Sequence, residues 1–385
     1  MPNMMDYLTW RGDLTLRQAA WNLVDSLLMA SLSYNHFQDV VSDVQGKSLR
    51  ECAPLLGLEN MTGGQYFQQW RALLFAMAES ERFGRMRLHD YVNEVDEERI
   101  IQFSALTAEM EDGSTFVAFR GTDNTLVGWR EDFHMSFETP VPAQVEALAY
   151  LRRQAERTER PLRVAGHSKG GNLAAYAAAH LPPEFQRRIL SVCSFDGPGL
   201  DEDTMNSPGY ERIRPVLHSV LPQSSIVGLL MHYHPDYLVV RSTAVSILQH
   251  DAFTWQVRGT GFEELRQVDA ASRIMDETLH AWLQNASPEQ RRRLSLIHIS
   301  EPTSLNATHA ETIAEMSNEK FRSALSMIQA TRDMDPETRR MFNHLIGEFL
   351  RLGAGNVWEL ISSKVPRPRQ RDGITGKPPP GTPSL

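Results

Sequence analysis

The chain has 385 residues, 41% of them hydrophobic and 23% charged, with a formal net charge of −9. That composition supplies a sizeable core for one large domain with additions, or for two domains. The acidic balance is spread along the chain and excludes a basic nucleic-acid surface, since phosphate backbones would be repelled.

Two cysteines, Cys52 and Cys193, stand far apart, so neither a disulfide framework nor a cysteine-based zinc site is expected. Cys193 lies in an apolar run and reads as a buried small hydrophobe. The opening MPNMMDYLTWRGDLTL lacks the basic and apolar regions of a signal peptide. No apolar run approaches the roughly 20 residues of a membrane span. A soluble, cytoplasmic protein without stable membrane insertion is the expectation.

Residues 16–34 carry apolar positions at helical spacing (Ala20, Leu23, Val24, Leu27, Leu28), with Asp13 or Thr15 as candidate caps. Residues 62–80 read as a second helix, with Phe67, Trp70, Leu73, Leu74 and Met77 on one face. After Gly84 the pattern changes to strands at 86–93, 100–108 and 114–120, the last two joined by the turn pair Asp112-Gly113. A helix is expected at 141–157, a short apolar strand at 162–165, and an Ala-rich helix at 172–180 that ends before Pro182-Pro183. Further strands are expected at 189–195, 213–221 and 237–243. Strand and helix alternating on short connections signify a parallel α/β sheet. From about 261 to 362 the chain reads as helical. Residues 363–385, rich in Pro, Gly and charge, read as a disordered tail. Residues 294–304 (LSLIHISEPTS) resemble a translated sequencing adapter, and no function is assigned to them.

Gly166-His167-Ser168-Lys169-Gly170 has the form G-x-S-x-G. A nucleophilic serine on a sharp strand-to-helix turn needs small residues two before and two after it, so that strand and helix can approach. The helix start then offers N–H groups to a developing oxyanion. The apolar strand before the motif and the Ala-rich helix after it supply that context. Without G-x-G-x-x-G or Walker spacing, the same turn is not read as a phosphate loop.

An oxyanion hole needs two donors. Lys169 N–H, following the nucleophile, is one. The loop Phe119-Arg120-Gly121-Thr122 supplies the other through Thr122, with Gly121 allowing close approach. In this fold the acid and then the histidine follow the serine. His180 reads as a helix-end residue, His218 lies in a strand, and His232 with His234 would be a metal pair lacking a third ligand. His250 follows the last strand and is the candidate base. Asp196, at the end of strand 189–195, is the favoured acid, and Asp236 is its alternative. Asp251 adjoins His250 and is expected to face away from it.

The fold expected is therefore an α/β-hydrolase, with a mostly parallel sheet flanked by helices. Residues 1–84 form an N-terminal helical segment packing on the core. Residues 85–260 form the catalytic core, and 261–362 a helical C-terminal region. Phe119-Arg120-Gly121-Thr122, Trp129, Asp132 and the run Gly166–Gly171 resemble the fungal-type class 3 lipases. Residues 5–260 resemble more closely the bacterial lipase-like hydrolases of the Mbeg1-like family. That resemblance rests on Asp6-Tyr7-Leu8, Trp10-Arg11-Gly12-Asp13, Leu32-Ser33-Tyr34, Ser168–Asn172, Asp196-Gly197-Pro198-Gly199, Gln249-His250-Asp251 and Trp255. Class 3 lipases imply an acid in a D-x-V-P motif. Here the corresponding stretch, Leu221 to Val227, has no carboxylate, whereas the pancreatic type takes its acid from the strand just after the elbow, as Asp196 would be. Lys169 is a second departure, since an apolar residue is usual there. It reads equally as a cation favouring an acidic substrate and as a solvated lysine.

The leading function is hydrolysis of small-molecule carboxylic esters, lipids included, through an acyl-enzyme on Ser168, with no metal or organic cofactor. The same residues would serve acyl transfer from a thioester or amide. A non-catalytic, hydrolase-like binding module is the third reading, motivated by the missing D-x-V-P acid. Part of 222–236 is expected to form a lid.

Overall fold

A computed structural model describes residues 1–269, except 42–43, 57–64, 123–130, 132–134, 136–138, 226 and 232–233. The expectations for 270–385, and those for Trp129, Asp132 and His232, lie outside the described residues.

The helices are α1 (Met4–Arg11), α2 (Leu23–Leu32), α3 (Leu49–Leu55), α4 (Gln65–Glu79), α5 (Pro142–Arg157), α6 (Lys169–His180), α7 (Pro183–Gln186), α8 (Glu202–Met205) and α9 (Pro208–Ile213). The strands are β1 (Lys47–Ser48), β2 (Arg87–Asp96), β3 (Ile101–Glu109), β4 (Thr115–Phe119), β5 (Leu162–His167), β6 (Ile189–Phe195), β7 (Leu217–Pro222), β8 (Leu238–Val240), β9 (Val257–Arg258), β10 (Gly261–Phe262) and β11 (Glu264–Leu265). A nine-stranded sheet has the order β1-β2-β3-β4-β5-β6-β7-β8-β11. Strands β4 to β8 run parallel, and β1–β4 and β8–β11 pair antiparallel. Gly113, at φ +84°, takes the left-handed position of the β3–β4 turn. This is the α/β-hydrolase arrangement, a mostly parallel sheet with helices against it.

In the parallel part, spatial order follows chain order. Crossovers of one hand then fall on one face, and α5, α6 and α9 bury Ala147, Leu151, Leu173, Ala177 and Ile213 together with Val117, Val164 and Val192. The opposite face is left to the N-terminal helices. Tyr7, Leu27, Leu28, Leu74 and Met77 pack there with Phe116, Ala118, Ala165, Cys193 and Phe195. Strand β4 shows the division residue by residue, with Phe116 and Ala118 on one face and Val117 and Phe119 on the other.

Three differences from the sequence reading have a clear cause. The helix expected at 16–34 begins only at Leu23. Its cap is Asn22, whose side chain accepts from Val24 and Asp25 N–H while Asp25 reaches back to Asn22 N–H. Residues 13–21 stay non-helical because the buried guanidinium of Arg82 draws the carbonyls of Leu14, Ala19 and Ala20 to itself, at 3.2, 3.0 and 3.1 Å. The strand expected from 213 begins at Leu217, since α9 and a 3₁₀ turn over Arg214–Val216 occupy the residues before it. Helix does not begin at 261: Gly261–Phe262 and Glu264–Leu265 are strands, the latter closing the sheet against β8. Both cysteines are buried and free, and burial pushes their thiols up to about 12. Among the described residues no helix is long and apolar enough to cross a membrane.

Arg82 also donates to both carboxylate oxygens of Asp25, at 2.7 and 2.5 Å, with both side chains fully buried. Removing one partner strands the other charge in the core. Arg82→Leu should therefore cost about 3–5 kcal/mol of stability, read as a lower urea midpoint at unchanged m-value. A shift within error of zero would mean that the pair does not anchor the N-terminal helices.

Candidate active site

Ser168 joins β5 to α6 at φ +59° and ψ −134°, a conformation that costs a residue with a side chain and persists only where neighbours enforce it. The neighbours are close. Ser168 N–H donates to Phe195 O at 2.9 Å, and Ser168 O accepts from Gly171 N–H at 2.8 Å. A Cβ on Gly166 would stand 2.1 Å from the Gly170 carbonyl carbon, and one on Gly170 would stand 2.2 Å from Phe119 O. Strand and helix thus meet with no room for a side chain at either position. The loop after β4 comes equally near: a Cβ on Gly121 would lie 3.0 Å from Ser168 Cβ and 2.2 Å from Tyr34 Oη. Thr122, the next residue, is half-buried.

His250 ends a short 3₁₀ turn over Ser246–His250. Its Nδ1 lies 2.7 Å from Asp196 Oδ2, the imidazole about a quarter exposed and the carboxylate buried. A carboxylate at that distance accepts from Nδ1–H, which leaves Nε2 as the basic nitrogen. Asp196 follows β6 at φ +47°. Its other oxygen accepts from Ser225 Oγ–H at 2.5 Å and Gly228 N–H at 3.1 Å. Both donors come from the stretch 222–236, so two of its described residues support the carboxylate. The histidine's own turn is pinned by Trp255 Nε1–H donating to Gln249 O at 2.7 Å, and by Gln249 Nε2 donating to Ser224 Oγ and Ala244 O.

The structure brings Ser168, Asp196 and His250 to one rim of the sheet. It does not bring Asp236 there: that carboxylate is 77% exposed and lies 3.9 Å from Arg214. His180 bonds Tyr176 O within its own helix, and His234 bonds Tyr210 Oη. Asp251 caps the next turn through Phe253 N–H, and burial raises its carboxyl above the usual range. Among the described residues no cluster of three potential metal ligands is found.

Lys169 corrects the sequence reading on both counts. Its side chain neither meets solvent nor faces a substrate, being 1% exposed. Nζ donates to Gln102 O at 2.8 Å, Gln102 Oε1 at 2.7 Å and Glu131 Oε2 at 3.0 Å. Three acceptors satisfy the three ammonium protons and make the burial tolerable.

His167 is a residue that sequence reasoning passed over. Its ring stands 4.7 Å from the His250 ring, and its Nε2 lies 2.8 Å from His250 O. A carbonyl only accepts, so Nε2 carries the proton and Nδ1 accepts from Tyr34 Oη–H at 2.9 Å. The only sequence signal for Tyr34, Gln249 and Trp255 was their place in the family resemblance. Ser225, Gly228 and Glu131 gave none.

Sheet, elbow and flanking helices define an α/β-hydrolase fold. The chain belongs to the Mbeg1-like family, whose model matches residues 77–297. Three solved lipases resemble it. M37 lipase is 15% identical over 53% of this chain and 68% of its own, with a TM-score of 0.36. Rhizomucor miehei lipase, in a propeptide complex, is 12% identical over 63% and 81%, with a TM-score of 0.35. The lipase of Rhizopus microsporus var. chinensis is 16% identical over 52% and 72%, with a TM-score of 0.32. No curated protein matches the chain.

Burial, and then the neighbouring His250, push the His167 imidazole down to about 3 from 6.5. The folded protein therefore holds His167 neutral where the unfolded chain protonates it. Its contribution to stability is complete above pH 6.5 and is lost as pH falls from there toward 3, at a slope of up to about 1.4 kcal/mol per pH unit. Denaturation midpoints across that window should fall less steeply in His167→Gln than in the wild type. Parallel curves would show that His167 does not set the acid limit.

Proposed function

We propose that the chain is a serine hydrolase that cleaves carboxylic esters, lipid esters among them, through an acyl-enzyme on Ser168. The observation that carries this reading is a buried carboxylate holding His250 at 2.7 Å, on the rim where Ser168 stands at positive φ on an elbow.

In this mechanism His250 Nε2 takes the Ser168 hydroxyl proton as Oγ attacks the acyl carbonyl. Asp196 keeps the proton on Nδ1 and stabilises the imidazolium, its second oxygen being occupied by Ser225 and Gly228. The carbonyl oxygen becomes an oxyanion between the N–H groups of Thr122 and Lys169. His250 returns its proton to the leaving alcohol. Water, activated by the same nitrogen, then releases the acid and restores the serine.

Lys169 bears on the substrate. With its ammonium paired to Glu131, it offers no free charge to an acidic acyl group.

A fluorophosphonate probe should label the wild type and fail on Ser168→Ala. A folded wild type that takes no label would sink the catalytic reading. Asp196→Asn should lower kcat on the order of 10⁴-fold, measured on p-nitrophenyl esters, while Asp236→Asn should leave it within about twofold, as for a surface substitution. If Asp236→Asn alone abolished turnover, the acid would be misassigned. A series of such esters of increasing length reads out acyl preference.

A further inference from the structure

Lys169 supplies two groups of different use. Its N–H opens α6, where no carbonyl within the helix accepts it. Its side chain is buried and reaches acceptors on Gln102, at the start of β3, and on Glu131.

Glu131 is the centre of that contact. Its carboxylate is wholly buried. Oε2 accepts from Lys169 Nζ and from Gln102 N–H on β3, at 3.0 Å each. Oε1 accepts from Ala143 N–H in the first turn of α5 at 2.8 Å. One carboxylate thus joins the start of α6, the edge of β3 and the start of α5. An apolar pair of similar volume would avoid the desolvation cost that a buried ion pair barely recovers, but it would leave the N–H groups of Gln102 and Ala143 without an acceptor. An apolar pair would also lack direction. An ammonium with its acceptors on β3 and Glu131 has one orientation, and it fixes the backbone from which it springs.

That backbone is the Ser168–Lys169 peptide. Its plane is set on one side by the strained Ser168 angles. Gly171 N–H holds its oxygen at 2.8 Å, and on the far side the buried Lys169 side chain anchors the Cα next to the N–H. An oxyanion donor has to lie within a few tenths of an ångström of its place to be effective.

We propose that Lys169 and Glu131 are positioning residues: their buried pair orients the Lys169 N–H for the oxyanion. This rests on the reading of Ser168 as the nucleophile.

The test uses the full chain with Lys169→Met, Glu131→Gln and the double variant. Each single change leaves one buried group without its partner and should lower the melting temperature. The double variant leaves no uncompensated charge and should melt closer to the wild type than either single. In the double variant kcat on a p-nitrophenyl ester should nevertheless stay down by at least about tenfold, with KM changed by less than about threefold, as expected for a misdirected donor. The second-order rate of fluorophosphonate labelling should fall in parallel. A double variant that regains wild-type kcat along with its stability overturns the proposal, since the pair would then be structural only. A loss confined to KM overturns it as well. A wild type that takes no label overturns the nucleophile reading and this proposal together, whereas a reactive wild type with an equally fast double variant overturns this proposal alone.

Discussion

The approach of α6 to β5 and β4 sets the terms for the rest of the molecule. Gly166 meets Gly170, and Gly170 meets Phe119 O, at distances that exclude even a methyl group. Because the helix is pressed so close, the chain turns through Ser168 within one residue, and that residue takes backbone angles it would not choose alone. The sheet absorbs the strain. Ser168 is tied to Phe195 on β6, and its side chain emerges beside the loop leaving β4. A looser contact would let the turn relax, and the serine would sink back toward the strand.

A second constraint concerns the carboxylate. The stretch from Leu221 to Val227 lacks the acid that the resemblance to class 3 lipases would put there. In the structure that stretch holds Ser225, whose hydroxyl donates to Asp196, and it leads into Gly228, whose N–H does the same. A carboxylate one strand nearer the elbow thus receives its support from the loop where the resemblance would seat the acid itself. Buried carboxylate oxygens need such donors to satisfy their lone pairs. Ser225 and Gly228 supply them from neighbouring turns of one short segment.

Where the chain signals its own structure locally, the sequence was readable. Apolar β5, the glycines of the elbow and the Ala-rich α6 are consecutive, so period and composition locate them within about three residues. The strand at 189–195 and the Asp112-Gly113 turn are of the same kind. Partnerships made across the fold were not readable. Lys169 at a helix start looks solvated until Glu131, far back in the chain, is brought beside it. The helical pattern of 16–34 is real, but Arg82 withdraws two of its carbonyls, those of Ala19 and Ala20, and Asn22 begins the helix late. For the candidate site, chain order was enough to choose which serine, aspartate and histidine to gather. It held no sign of His167 as a neutral bridge between Tyr34 and the His250 backbone.

The division of the two faces has a consequence for how the molecule comes into being. The crossover helices cover their face as each strand is added, but the opposite face waits for α1, α2 and α4, which are made before the strands they pack on. The first residues are also tied to the last part of the sheet. Pro2 O accepts from Val257 N–H, and Asn3 Nδ2 donates to Phe253 O, on either side of Trp255. During synthesis the N-terminal helices must therefore hold their apolar surfaces unmatched until the sheet exists, and their final anchor is made only after the His250 turn has left the ribosome. The order of manufacture thus makes the imidazole a late arrival, so that an unfinished chain carries its serine well before it carries a base.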